Sequence, residues 1–211
     1  MTLKELEYEF SLLPKGYKTK DVDRLNKKLI KEKKDVSFLK EIILNRQEFY
    51  RTYFQVEMSK FKNYQDKMKF IEDNHKLLND WWHVDELTQF VYIEDLKYAF
   101  NKAQRYTKSN HLFLRRWGYV LFMPRLVKEK EAFDLIVSLL KDDDEYYVVM
   151  AEAWLISYLA IYHPEKTLNY LKVTNLKYNI IGRAIQKICD SYRINQEYKE
   201  EVKKIRERFK V

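Results

Sequence analysis

The scarcity of residues that form turns is the feature that most limits the fold of this chain. Among its 211 residues there are only 3 glycines and 3 prolines. A many-stranded sheet needs a tight turn between paired strands, and glycine and proline are prominent in such turns. Hydrophobic residues make up 46% of the chain, which is enough for a core and argues against a disordered protein. The composition therefore predicts an all-α fold.

Apolar residues recur at helical spacing along nearly the whole sequence. The most apolar stretches, 110–127 and 146–162, are predicted to form buried helices. Residues 36–61 are predicted to form one bent helix or two helices. From Gln65 onward an apolar helix and a more polar one alternate, with a period of roughly thirty to forty residues. This period is typical of HEAT-like repeats, in which each helix pair is buried against its neighbours.

These repeats are predicted to form a single domain. We expect one HEAT-like helical-repeat solenoid, an α-α superhelix, over residues 1–211. Its N-terminal helices are expected in 1–62, and the repeats that carry the functional residues in 63–211. No stretch rich in proline, glycine or serine marks a linker. Such a solenoid with polar ends has no need of a second copy, so we expect a monomer.

Net charge indicates the kind of partner, and the cysteine content and apolar segments indicate the compartment. The formal net charge of +8 favours an anionic partner, most simply nucleic acid, although many basic proteins bind none. The single cysteine, Cys189, cannot form an internal disulfide, which suits a reducing compartment. The first residues include no apolar signal region, and no apolar stretch is long enough to cross a membrane. We therefore expect a cytoplasmic protein without membrane contact.

Metal and cofactor sites are not expected from the sequence. The four histidines are scattered along the chain, and no pair of histidines or cysteines has the spacing of metal ligands. The three isolated glycines cannot form the glycine-rich loop that binds nucleotide phosphates. We therefore expect neither a metal nor a cofactor.

Four side chains at corresponding places in successive helix pairs are the candidate functional residues: Trp81, Asp85, Arg116 and Trp154. Trp81 and Asp85 are four positions apart, which places them on one helix face. Taken singly, each of the four has a structural explanation, as a core tryptophan, a solvated aspartate or an ion-paired arginine. If the four act together, their side chains should converge on one concave basic groove. Side chains directed into separate packed layers would instead indicate a helical-repeat adaptor.

The order and spacing of these residues resemble those of the AlkD-type alkylpurine DNA glycosylases, a family with HEAT-like repeats. In that family a Trp-x-x-x-Asp motif begins one helix, an arginine follows on a later helix, and a tryptophan lies on the next inner helix. The matching residues of this chain are Trp81, Asp85, Arg116 and Trp154. The resemblance covers roughly residues 65–195.

The resemblance implies hydrolysis of the N-glycosidic bond of N3- or N7-alkylated purines in double-stranded DNA. In that reaction Asp85 would stabilise the positive charge that develops on the deoxyribose and orient the attacking water. Trp81 and Trp154 would be the other catalytic residues and would hold the sugar and backbone beside Asp85. Arg116 would be the DNA-binding residue and would clamp a phosphate.

The surroundings of Trp154 differ from the pattern of that family. Val149 and Met150 precede it and Ser157 follows it, at places where basic side chains are expected. The sequence therefore predicts a reduced grip on DNA. It leaves open a second function, that of a catalytically weak or inactive family member acting as a scaffold that binds nucleic acid or protein.

Overall fold

The protein is described by a computed structural model that covers residues 1–207 and 209, and these residues form helices joined by short loops. No strand occurs among them, so the predicted all-α fold is confirmed. Backbone contacts divide the chain into two compact units, Met1–Tyr92 and Ile93–Val211. The single domain over residues 1–211, with repeats beginning at residue 63, stays a prediction.

The first unit is built from helices and short 3-10 turns. Its α-helices are α1 Leu3–Ser11, α2 Thr19–Lys31, α3 Tyr50–Met58, α4 Tyr64–Asp73 and α5 Trp81–Phe90. Its 3-10 turns are Ser37–Glu41, Gln47–Phe49 and His75–Leu77. Helix α3 packs against both α2 and α5, so it is the central element from which α5 is supported.

The prediction of one bent helix or two helices over residues 36–61 is wrong for the first half of that stretch, which forms no α-helix. Two 3-10 turns occupy it, and only the second half forms an α-helix, α3. The Asp35 carboxylate accepts hydrogen bonds from the backbone N–H and the hydroxyl of Ser37 at 3.0 and 3.1 Å. Such local bonds compete with the hydrogen bonds of an α-helix. Leu39 and Ile43 are fully buried, so packing stabilises the irregular path.

The second unit stacks successive helices. They are α6 Leu96–Tyr106, α7 Leu112–Val120, α8 Ala132–Val137, α9 Tyr146–Tyr162, α10 Pro164–Val173, α11 Tyr178–Asp190 and α12 Gln196–Glu207, with a 3-10 turn at Leu126–Lys128. Helix α6 packs on α7, α7 on α9, α9 on α11 and α11 on α12. This succession of helix contacts is consistent with a helical-repeat solenoid. The helix predicted over 146–162 has those bounds, whereas the one predicted over 110–127 ends at Val120.

Gly118 allows α7 to approach the end of α6 closely. A Cβ atom at this position would lie 2.8 Å from Cγ2 and 3.1 Å from the backbone nitrogen of Thr107. Thr107 follows directly after α6, and its hydroxyl is held by the carbonyl of Ala103 at 2.9 Å. Glycine is therefore required here by the distance between the two helices rather than by an unusual backbone angle.

Helix α9 is the centre of the second unit. It is apolar on nearly all sides, as expected for a helix buried among others. Neighbouring helices α7, α10 and α11 all pack against it. Ala153, Ile156 and Ala160 of α9 are buried together with Ile181 and Ile185 of α11. This packing gives Trp154 a rigid support.

Candidate functional site

The first turn of α5 is held by the carboxylate of Asp80. Its Oδ1 accepts a hydrogen bond of 2.6 Å from the backbone N–H of Trp81, and its Oδ2 accepts one of 3.1 Å from Nε1 of Trp82. An aspartate at the N-cap satisfies backbone N–H groups that have no partner inside the helix. The same side chain therefore begins the helix and orients the Trp82 indole.

Trp81 and Asp85 lie one helical turn apart on α5. Trp81 is 45% exposed, a high value for a tryptophan, and Asp85 is partly exposed. Side chains four residues apart are neighbours on a helix surface. The backbone carbonyl of Asp85 also accepts a hydrogen bond of 2.6 Å from the Thr88 hydroxyl. The structure thus brings an accessible aromatic ring and a carboxylate to one side of α5.

The buried side of α5 carries His83. Its ring stacks on that of Tyr50 with centroids 3.5 Å apart and planes 5° from parallel. Its Nδ1 accepts a hydrogen bond of 3.3 Å from the backbone N–H of Asn79, and its Nε2 is buried without a partner. Burial lowers the pKa of His83 to about 3. His83 is therefore neutral near pH 7 and has a structural role rather than that of a proton donor.

A buried arginine ties α5 to its neighbours. Arg51 of α3 is 6% exposed and binds the Asp23 carboxylate through Nε and Nη2 at 2.8 and 3.0 Å. Its Nη1 lies 2.7 Å from Oε1 of Glu86, and its Nη2 donates to Gln89 at 2.9 Å. Burial raises the pKa of Glu86, and the Arg51 charge opposes this shift only in part. This network fixes the orientation of α5, and no sequence pattern had indicated it.

Arg116 lies on α7 in the second unit. It is 4% exposed, and its Nη1 donates a hydrogen bond of 2.7 Å to the carbonyl oxygen of Tyr147, in the first turn of α9. The next residue toward the N-terminus, Arg115, binds Asp143 through Nε at 3.1 Å. Both arginines thus hold the start of α9. The phosphate contact assigned to Arg116 stays a prediction.

Trp154 is half-buried on α9 and begins a row of aromatic rings. Its ring packs edge-on against Tyr158 at 5.9 Å between centroids, and Tyr158 lies 6.4 Å from Tyr162. The sequence offered a signal for this row, since the three residues are spaced four apart, as neighbours on a helix surface are.

Basic side chains lie over these rings although α9 itself supplies none. Nζ of Lys187 is 5.9 Å from the Trp154 ring centroid, and Cζ of Arg193 is 5.8 Å from that of Tyr158. Cations at such distances are attracted to the ring face. Positive charge around Trp154 is therefore supplied by α11 and by the segment that follows it. The substitutions at Val149, Met150 and Ser157 do not remove it.

Glu152 lies two residues before Trp154 but belongs to the interior. It is fully buried, and its Oε1 accepts a hydrogen bond of 3.1 Å from the backbone N–H of Lys141. Burial raises the pKa of Glu152 to about 8, although the Lys141 N–H and the Tyr119 hydroxyl oppose the shift. The carboxyl group is thus mostly protonated at pH 7 and out of reach of a large substrate.

Two other features are absent from residues 1–207 and 209. No group of three or more His, Cys, Asp or Glu side chains there could hold a metal ion. No helix in this part of the chain is long and apolar enough to span a membrane. The convergence of Trp81, Asp85, Arg116 and Trp154 on one concave groove stays a prediction.

Comparison with known protein families gives a match over most of the chain. Residues 14–188 match the family described as DNA alkylation repair enzyme. A search of curated proteins and a search of solved structures gave no match. The family match covers most of the chain and includes α5, α7 and α9, the helices that carry the four candidate residues. The chain therefore belongs to the DNA alkylation repair enzyme family.

Proposed function

We propose that this protein is a DNA glycosylase that hydrolyses the N-glycosidic bond of N3- or N7-alkylated purines in double-stranded DNA. The accessible side of α5, with Trp81 and Asp85 one turn apart, is the observation that carries the proposal. An aromatic face beside a carboxylate suits a substrate with a positively charged centre. Membership of the DNA alkylation repair family supports DNA as the partner.

The purine leaving group needs no strong general acid in the proposed reaction. Alkylation makes the purine positively charged, so the electron pair of the breaking C1′–N bond neutralises it as it departs. Positive charge then develops on the deoxyribose, where the Asp85 carboxylate stabilises it. Asp85 also orients a water molecule whose oxygen attacks C1′ and whose proton passes to the carboxylate or to solvent. The products are the free base and an abasic site.

The other candidate residues are assigned to holding the DNA. Trp81 and Trp154 contact the sugar and backbone through their faces, and Lys187 adds positive charge beside Trp154. Arg116 binds a phosphate through its guanidinium. The hydrogen bond from Arg116 to Tyr147 keeps this side chain in a fixed conformation, which lowers the entropic cost of binding.

A second candidate function is a catalytically weak or inactive scaffold that binds nucleic acid or protein. The burial of Arg116 favours it, because a guanidinium that is only 4% exposed has limited access to a phosphate. In that case the arginine would serve only to hold the start of α9. Both candidate functions share the fold and differ in chemistry.

Release of free base from methylated double-stranded DNA tests the proposal. The DNA is treated with a methylating agent, incubated with protein, and the released bases are separated by chromatography. We expect 7-methylguanine and 3-methyladenine in the soluble fraction. DNA binding without any base release, from protein whose circular dichroism shows intact helices, would support the scaffold instead.

A further inference from the structure

The row of rings on α9 continues beyond the residues assigned to base excision. Trp154, Tyr158 and Tyr162 follow one another at intervals of four residues, so they span about 12 Å of the helix. Tyr158 and Tyr162 are half-buried, and the base-excision chemistry proposed above uses neither ring. Three adjoining aromatic side chains at a partly exposed surface need a further explanation.

Two cations are fixed at the far end of this row. Cζ of Arg193 lies 5.0 Å from the centroid of the Tyr162 ring, and Nη2 of Arg193 donates a hydrogen bond of 2.6 Å to the Tyr162 hydroxyl. Nζ of Lys128 lies 5.4 Å from the same ring. Both cationic side chains are exposed at the surface. The ring therefore holds two positive charges close together.

These cations are not neutralised by carboxylates. In the described part of the chain neither Lys128 nor Arg193 forms an ion pair with a carboxylate, whereas five other cations of the second unit do: Arg115, Arg125, Lys166, Lys177 and Lys203. Partial burial would raise the pKa of Tyr162. The hydrogen bond from Arg193 and the charge of Lys128 outweigh this effect, so the pKa of Tyr162 is lowered overall. An anionic ligand would neutralise the positive charges of Lys128 and Arg193.

We propose that Trp154, Tyr158 and Tyr162, together with Lys128 and Arg193, form an aromatic–cationic row that binds single-stranded DNA. Its bases stack on the rings and on the outer face of the Arg193 guanidinium, and its phosphates pair with the two cations. The proposal goes beyond the base-excision function and does not depend on it.

The rings favour a single strand over a duplex. In a duplex the bases are stacked on each other, so only phosphates and groove edges are available and cations alone would be sufficient. In a single strand each base has an accessible face, and stacking on an aromatic side chain contributes strongly whatever the base. An acidic peptide would use the cations but has no planar groups for the rings. DNA rather than RNA follows from the family to which the chain belongs.

Fluorescence anisotropy with labelled oligothymidine of about 12 nucleotides tests the proposal. The wild-type protein should bind it at least about tenfold more tightly than an abasic oligonucleotide of the same length and charge, because only the first has bases to stack. Equal binding of the two would overturn the proposal without the use of any variant. Tighter binding of the matching oligouridine RNA would overturn the assignment to DNA.

Protein variants separate the rings from the cations. The double variant Tyr158→Leu/Tyr162→Leu should lose affinity for oligothymidine about tenfold or more and for a duplex much less. Equal losses for both would mean that the rings only hold the cations, and would overturn the proposal. Arg193→Gln, which alters only an exposed side chain, should weaken binding and reduce its salt dependence by roughly one phosphate contact. Unchanged binding by this variant would also contradict the proposal.

Two controls complete the experiment. Tyr8→Leu removes an exposed tyrosine from the first unit, at 64% exposure, and should leave oligothymidine binding unchanged. Asp85→Asn should also retain oligothymidine binding even if it abolishes base release. Failure of the base-excision function and failure of the single-strand site would therefore give different results.

Discussion

Oδ2 of Asp80 accepts a hydrogen bond of 3.1 Å from Nε1 of Trp82, while Oδ1 of the same carboxylate accepts one from the first backbone N–H of α5. The Trp82 ring in turn packs edge-on against Tyr50, with centroids 5.2 Å apart. The helix that carries Trp81 and Asp85 therefore starts from a fixed point, with its cap bonded to a side chain that is itself packed on α3.

Replacement of Asp80 tests how much this cap contributes. Asp80→Ala should lower the free energy of unfolding by about 1 to 2 kcal/mol, because it removes an N-cap and leaves the Trp82 indole N–H without its acceptor. Asp80→Asn retains an acceptor oxygen and should lower it by less. Urea unfolding followed by tryptophan fluorescence measures both. An alanine variant as stable as the wild type would show that the cap contributes little.

Gly118, where α7 approaches α6 closely, and Gly182 on α11 form a matched pair of positions for alanine substitution. Gly118→Ala should destabilise the protein by roughly 1 to 3 kcal/mol, because the new methyl group meets the backbone and side chain of Thr107. At Gly182 the atoms in the way belong to the ring of Tyr178, which is 38% exposed and able to move. Gly182→Ala should be neutral or slightly stabilising, as alanine favours helix. Thermal unfolding midpoints compare the two, and equal shifts would contradict the packing argument.

The buried carboxyl group of Glu152 predicts a pH dependence of stability. Its pKa is raised from 4.5 to about 8 in the folded state. Between these values the folded state keeps a proton that the unfolded state releases, so stability falls as pH rises through this window. The loss amounts to on the order of a few kcal/mol. Glu152→Gln is uncharged at all pH values and should lack this component. Denaturant unfolding at several pH values checks it, and identical pH profiles for both proteins would contradict the assignment.

The role of Arg116 is tested by the salt dependence of binding to duplex DNA. If Arg116 contacts a phosphate, Arg116→Ala should reduce the slope of log affinity against log salt by roughly one contact, and Arg116→Lys should largely retain the slope. If Arg116 only holds Tyr147, both variants should lose stability with unchanged slopes. Arg24→Ala, at an exposed position in the first unit, controls for the loss of one positive charge.

The sequence was sufficient to predict the helix with the clearest boundaries. Helix α9 is a nearly continuous apolar stretch between acidic residues and Pro164, so its bounds of Tyr146–Tyr162 follow from local preferences alone. Residues 36–61 also contain apolar positions at helical spacing, but the bonds between Asp35 and Ser37 divert the backbone there. The spacing of apolar residues gives little sign of side-chain hydrogen bonds that compete with the helix in this way.

The positions of charges around the candidate site could not be predicted. Arg193 reaches Tyr162 across 31 residues of chain, and Arg51 reaches Gln89 across 38. Such contacts depend on which helices pack together, and no local pattern encodes them. The sequence therefore indicated the candidate catalytic pair on α5 but predicted fewer basic groups near Trp154 than the fold provides.

Single-turnover release of 7-methylguanine from methylated duplex DNA by wild type and by Asp85→Asn tests the central claim most directly. Loss of the carboxylate charge should slow release about 100-fold or more, because the deoxyribose cation loses its stabilising partner. Asp73→Asn, at an exposed carboxylate on α4 that pairs with Lys69, should release base at the wild-type rate. Both variants should bind duplex DNA and keep the helical circular dichroism of the wild type. Equal release rates for Asp85→Asn and wild type would contradict the account.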